Sequence, residues 1–373
     1  MTERYDYVII GAGMFGSYAA EFLARNGRKV ALIDFDKIPM QRASYINQAR
    51  VHNGYHYPRS IFTAAKSAKY YERFSSDFAF AVNKEFKKIY AIASYDSLTN
   101  AEQFKTFCDY VKIPAEEINV KTYLKDEVIE AAFLTKEYSY DAARIRNFFL
   151  EKFAQYKHLT TYFGTSIEHV LNNGTEYVIT LNNGSRISSA KVLNATYAGI
   201  NQVLELFGYE LFPLKYEMCE VILTKVNEKY SDVGITIMDG PFMSLMPFGL
   251  TGYHSLTSVG HTPHETSRDS LPGFSCQDLN ATCSSELLQN CNNCHAKPFT
   301  AWGMMSQLAK KYVQSDVDIS YQKSLFTVKT IMSSSEVDDS RPTIIKEASA
   351  TPSFISVLSG KFNTIYDLEE VLL

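Results

Sequence analysis

A chain of 373 residues with formal charge −4, 46% hydrophobic and 21% charged residues, is too long for one small core and too apolar to be disordered. Its 37 basic residues stand against 41 acidic ones. That balance offers no general basic surface for nucleic acid and no polybasic patch for a membrane. The opening residues lack the pattern of a secretory leader, and no run approaches about 18 unbroken apolar residues, so no membrane span is expected. A cytoplasmic protein is expected, with its six cysteines reduced or metal-bound rather than paired.

In chain order, Tyr7-Val8-Ile9-Ile10 reads as a short buried strand and Gly11 to Gly16 as a turn. Ser17 to Asn26 follows as a helix with Ala19, Ala20, Leu23 and Ala24 on one face, and Val30-Ala31-Leu32-Ile33 as a second buried strand ending at Asp34. Together they make a βαβ unit. Residues 60–80 and 141–156 read as helices. Two Asn-Asn-Gly turns, at 172–174 and 182–184, bracket the strand Tyr177 to Leu181. Lys191 to Thr196 reads as a buried strand, followed by a helix near 200–207. Residues 215–260 carry strand signals, 265–298 lose periodicity, and 299–313 is helical. A strand at 354–358 meets Gly360 and a helical tail.

Gly11-Ala12-Gly13-Met14-Phe15-Gly16 is a G-x-G-x-x-G loop in its required setting: a strand before, a helix after, and an acid at the end of the next strand. Gly11 permits the tight turn, Gly13 lets backbone approach a pyrophosphate, and Gly16 lets the helix lie close to the strand. The helix N-terminus then offers N–H groups and a positive dipole to phosphates. Asp34, 18 residues after Gly16, is placed to accept bonds from ribose hydroxyls, and its charge disfavours NADP. With one such fingerprint in the chain, either the loop binds NAD, or it binds FAD in an enzyme that does not use a nicotinamide cofactor.

Four segments in order carry a wider resemblance: residues 6–34, ARVHNGYHYPRS at 49–60, KVLNATYAG at 191–199, and SGKFNTIYD at 359–367. In these the chain resembles the FAD-dependent D-amino acid oxidase and glycine oxidase superfamily, including relatives of L-2-hydroxyglutarate oxidase. The resemblance implies an α/β fold: a Rossmann-type FAD-binding domain with a second, mixed β-sheet substrate domain. The expected division is 1–80, 140–214 and 325–373 for FAD, and 81–139 and 215–324 for substrate. It implies FAD contacts from Gly11, Gly13, Met14, Phe15, Gly16 and Asp34, from Ala195 and Gly199, and from Gly360, Lys361, Asn363 and Thr364. The chemistry implied is removal of a hydride from a carbon bearing an amine or hydroxyl in an amino acid, amine or hydroxy acid. Oxygen, a quinone or a redox partner would take the electrons. An NAD-dependent dehydrogenase and a non-catalytic flavin-binding partner protein are the rival readings.

Such a site calls for a cation for a substrate carboxylate, aromatic walls and a polarising group near the flavin. Residues 50–59 concentrate these types, with Arg50, His52, His56 and Arg59. A solvated turn pairing its arginines with carboxylates is the plainer alternative. Residues 253–264 hold Tyr253, His254, His261 and His264; Tyr253 and His261 are candidates here, against the commoner role of a strand histidine as a bonded core residue. Arg341 and Lys361 are the C-terminal candidates, Lys361 as a charge near the flavin's N1–C2 edge.

Cys276, Cys283, Cys291 and Cys294 crowd into 19 residues as C-x6-C-x7-C-x2-C. C-x2-C suits a tetrahedral ion, and a structural zinc is expected, to order a segment with little core of its own. Free thiols, a c-type haem attachment at Cys291 to His295, an iron–sulfur cluster and disulfides are the alternatives.

Overall fold

The computed structural model describes residues 2–336 and 341–372. The apolar run at the start becomes the strand Tyr7–Ile10, buried at every position, as a parallel strand covered on both faces must be. It lies inside a six-stranded sheet, in the order Leu159–Phe163, Val30–Asp34, Tyr7–Ile10, Lys191–Asn194, Ser353–Leu358 and Ile344–Ala350. All neighbours pair in parallel except the last two, which form an antiparallel hairpin.

The first helix runs Met14–Arg25, with Gly13 as its N-cap. It begins earlier than its apolar periodicity announces, because the glycine loop itself curls into the first turn. Met14, Tyr18, Phe22 and Leu23 pack with Phe149 and Phe153 of the helix Ala142–Gln155 and with Tyr70 and Phe74 of the helix Ile61–Asp77. The other face of the sheet is covered by a four-stranded ribbon containing Tyr177–Leu181 and by the helix Ile200–Leu206. Both Asn-Asn-Gly turns close antiparallel hairpins there.

A larger, nine-stranded sheet draws on Lys87–Ala93, Ile129–Thr135 and the strands between Leu214 and Met332. Its longest pairing joins Leu214–Val226 to Ile319–Met332. Residue 325, the expected return to the cofactor-binding part, therefore lies inside one continuous strand. Met305, Ala309 and Tyr312 of the helix Trp302–Tyr312 seal one face of this sheet. A small ribbon of Arg50–Val51, Tyr138–Tyr140 and Val82–Asn83 carries the histidine-rich segment into the molecule. Among the described residues no helix is long and apolar enough to cross a membrane.

Two contacts lock the loop to the sheet. Gly11 has φ +96°, and a Cβ there would stand 2.8 Å from the Ala195 carbonyl oxygen. A Cβ on Gly16 would overlap the Gly11 carbonyl outright. Gly16→Ala is therefore expected to push the helix off the strand and cost about 1–3 kcal/mol, read as a lower midpoint in thermal unfolding.

Candidate active site

One large cavity of about 950 Å³ runs between the two sheets. At one end it is lined by Gly11, Gly13, Met14, Phe15 and Asp34, and along its side by Ala195, Gly199, Gly360 and Lys361. Gly16 does not line it; its part is the helix–strand contact described above.

The Asp34 carboxylate is set by the backbone around it. The amides of Ala12 and Asp36 donate to its two oxygens at 2.5 and 2.8 Å. Burial pushes its carboxyl up to about 6, against the pull of those two amides. At neutral pH it is an ionised acceptor aimed at the cavity end. At Gly13 a Cβ would meet only the Ser44 hydroxyl, at 3.1 Å. Ser44 also accepts from the Met14 amide at 2.9 Å, so it sits where the helix terminus opens. Loop, helix terminus and carboxylate fit the adenosine and pyrophosphate half of FAD.

The other end is built by the histidine-rich segment. Arg50, His52, His56, Tyr57 and Arg59 all line the cavity. Arg50 is 2% exposed and donates to Thr236 at 2.8 Å, to Tyr90 at 3.2 Å and to Ser244. Lys88, equally buried, donates to Thr236 as well. Behind them lies Glu137, which accepts from the Tyr90 hydroxyl at 2.7 Å and the Asn53 amide at 3.3 Å. Its Oε1 stands 3.5 Å from His52 Nδ1. Burial opposes charge on Glu137, but His52, Arg50 and Lys88 together hold its carboxyl below the usual range.

The histidine rings form an aromatic group with Tyr57. Their centroids lie 6.4 Å apart, and those of His56 and Tyr57 lie 5.3 Å apart. Burial, with the charges of Lys361 and Arg50 nearby, pushes His52 down to about 4 and His56 well below its ordinary value. Both rings are neutral at pH 7. The Lys361 ammonium stands 4.0 Å from the Tyr57 ring centroid; burial and then Arg50 push it down to about 7.

Asn363 and Thr364 do not line the cavity. Fully buried Asn363 donates to the carbonyls of His52 and Ser67, at 3.1 and 3.0 Å, and so holds the histidine loop against the C-terminal turn. Thr364 bonds the Lys361 carbonyl and Thr343, fixing the turn that presents Lys361. Arg341 does line the cavity, where its backbone crosses Gly360.

Tyr253 and His261 are not brought to the cavity. The strand His254–Ser258 enters it through Thr257 and Ser258, while Tyr253 sits in the turn before the strand, under Lys225. His254 points into the sheet, bonded to the Val233 carbonyl at 3.1 Å, and His264 is held by Glu220 at 2.9 Å. These two are bonded structural histidines. The expected zinc finds no support: among the described residues no group of three or more His, Cys, Asp or Glu side chains could hold a metal ion. Cys276, Cys283 and Cys291 pack instead against the apolar cluster around Phe274 and Leu288, and all four thiols are free.

Glu137, Lys88, Tyr90, Thr236 and Ser244 escaped the sequence reading. None belongs to a motif, and Lys136-Glu137-Tyr138 reads locally as a polar strand entry. Only strand pairing puts Lys88 and Tyr90 beside Thr236.

A glycine-loop α/β sheet joined to a larger mixed sheet, with a large cavity between them, is the build of a dinucleotide-binding fold. The chain belongs to the family described as FAD dependent oxidoreductase, whose model matches residues 6–297. Its fold is similar to that of glycine oxidase from Geobacillus kaustophilus (TM-score 0.68, 13% identity, covering 100% of this chain and 94% of that one). It is also similar to FAD-bound L-alpha-glycerophosphate oxidase from Mycoplasma pneumoniae (TM-score 0.72, 15% identity, 98% and 92% covered). By sequence it is 25% identical over 252 residues to the FAD-dependent monooxygenase kojA of Aspergillus flavus; the match covers 64% of this chain and 57% of that relative's length.

Two outcomes follow from this geometry. Gly13→Val is expected to abolish FAD retention, and Asp34→Ala to weaken it by about 1.5–3 kcal/mol, read as flavin released on gel filtration. Glu137→Gln leaves buried Arg50 without its counter-charge and is expected to cost about 3–5 kcal/mol of stability, measured by denaturant unfolding.

Proposed function

We propose that the enzyme removes a hydride from the carbon bearing the amine or hydroxyl of a small carboxylate, an amino acid or hydroxy acid. The observation that carries this reading is the charge balance at the histidine end of the cavity. Arg50 and Lys361 both line the cavity there, and Glu137, the fully buried carboxylate beside them, is already bonded to Tyr90 and Asn53. A buried cation facing the cavity is costly alone and is offset by a bound anion. A simple amine, cationic in solution, would worsen it.

Bound FAD supplies the hydride acceptor. The protein's part is position and proton management. Lys361 and Arg50 attract the carboxylate, and the Tyr57 and histidine rings form the wall. Neutral His52, with Glu137 beside it, accepts a hydrogen bond from the substrate's hydroxyl or neutral amine and orients it as the hydride leaves carbon; a hydroxyl's proton passes on to water. The structural neighbours named for glycine and glycerophosphate oxidation support this reaction class, as does membership of the family. They favour it over an NAD-dependent dehydrogenase and over a non-catalytic flavin carrier.

An anaerobic screen read as loss of the flavin's visible absorbance tests the reading. Amino acids or hydroxy acids are expected to bleach the flavin; bleaching by uncharged or cationic amines alone would sink it. Repeating turnover with oxygen, a quinone analogue or an artificial dye then identifies the acceptor. Lys361 adds a pH prediction. Its ammonium is charged below about pH 7, so a simple carboxylate inhibitor should bind more weakly as pH rises through that value. Lys361→Met should bind it weakly throughout, with that dependence flattened.

A further inference from the structure

The cysteine-bearing segment has no place in the chemistry, yet it touches the cofactor cavity. Leu287, Leu288, Gln289 and Cys291 line the same space as Gly13 and Asp34. Among the described residues, 268–301 contain only two short 3-10 turns, Ser275–Leu279 and Cys291–Asn293. Its internal bonds are mostly short turns, such as the Cys283 amide to the Asn280 carbonyl and the Cys294 amide to the Cys291 carbonyl, so its seat on the rest of the fold is set by longer-range bonds.

Ser270, Ser275 and Asn292 are bonded to the large sheet, while the tethers of residues 285–290 run to the nucleotide-binding end. Arg42 clasps Asp36 through two nitrogens, at 2.8 and 3.0 Å, and uses the third to donate to the Leu288 carbonyl at 2.9 Å. Asn290 donates to the same Asp36 at 3.3 Å. Asp36 is in turn bonded through its amide to Asp34. On the far side, Gln202, just after Gly199, donates to the Ser285 carbonyl at 2.5 Å. The segment 285–290 is thus tied at one end to the strand that ends in Asp34, and at the other to the helix that follows Ala195 and Gly199.

The thiols lie behind this strap. Cys276, Cys283, Cys291 and Cys294 surround a second, very small cavity with Met218, Phe274 and Leu288. The Gln289 amide donates to the Cys283 sulfur at 3.4 Å, and the Asn280 side chain to that of Cys294 at 3.3 Å. Leu288, Gln289 and Cys291 line both cavities, so they are the wall between them.

We propose that residues 285–291 are a cofactor-retaining strap that closes the adenosine end of the FAD site, with the four thiols as its apolar backing. The proposal rests on the assignment of that cavity end to adenosine through Asp34. The glycine loop and Asp34 grip the nucleotide from below; the strap covers the side they leave open. Retention of FAD then depends on a segment outside the βαβ unit, and Cys291 reports whether the strap is seated.

The test uses purified holoenzyme. Asn290→Ala combined with Gln202→Leu cuts a tether at each end and leaves Gly11, Gly13, Asp34 and the histidine cluster untouched. FAD release after dilution, followed as the rise in free flavin fluorescence, is expected to be roughly tenfold faster than in the parent. Flavin release at the parental rate would overturn the proposal. Should that variant fail to fold, the parent itself decides. Alkylation of Cys291 by iodoacetamide, read by peptide mass spectrometry, is expected to slow at saturating FAD more than alkylation of Cys294, which does not line the cofactor cavity. Equal slowing of the two, or none, overturns it. A protein purified without any flavin would instead count against the cofactor assignment itself, before the strap is tested.

Discussion

Glu137 is the charge on which the histidine end of the cavity depends. It comes from the link between the strand Ile129–Thr135 of the large sheet and Tyr138–Tyr140 of the small ribbon, yet Tyr90 of the large sheet, Asn53 of the histidine segment and His52 all converge on it. Arg50 and Lys88 are buried within the same group and share Thr236. A buried cation without a counter-charge costs several kcal/mol, so the sheets can meet here only because one carboxylate stands among them. The same carboxylate backs His52, while burial keeps that ring neutral. One residue thus offsets the buried charge and anchors the histidine segment.

The C-terminal return finishes this arrangement. Asn363 reaches across to the His52 and Ser67 carbonyls, and Thr364 and Thr343 fix the turn that holds Lys361 over Tyr57. Residues far apart in sequence are therefore positioned by backbone bonds rather than by side-chain charge alone. Backbone bonds of this kind keep a site in place when the charges within it change during turnover.

How much of this was legible in the sequence follows from the range of the interactions. The glycine loop, its helix and Asp34 are local: strand, turn, helix and strand lie within 30 residues, and each residue type there has one physical job. The histidine segment stood out because its mix of residues has no use on a plain surface. Tyr253 and His261 looked similar and were misread, because strand alternation alone does not say which face of a nine-stranded sheet meets a cavity. Glu137 and Lys88 gave no signal, since their partners are supplied by strand pairing and a crossover. The cysteines were read for a metal from spacing; in the fold their sulfurs are apolar packing and a wall. Gly16 packs the helix against the loop, as its place in the glycine pattern implies, and does not line the cavity, although an FAD contact was also expected of it.

The cavity is polarised along its length, and that polarity has a consequence for how a dinucleotide enters. One end presents Asp34, fixed by two amides and suited to ribose hydroxyls. The other presents Arg50 and Lys361, suited to a carboxylate or to an electron-rich ring edge. Reversed insertion would set phosphate charges away from the helix terminus and place an aromatic ring system against the Asp34 carboxylate, which would then lack the ribose donors it is aimed at. Orientation is therefore specified by the two ends together. The strap proposed over the Asp34 end adds to this, since it would cover the end assigned to adenosine and leave the cation-lined end for the flavin and the substrate anion beside it.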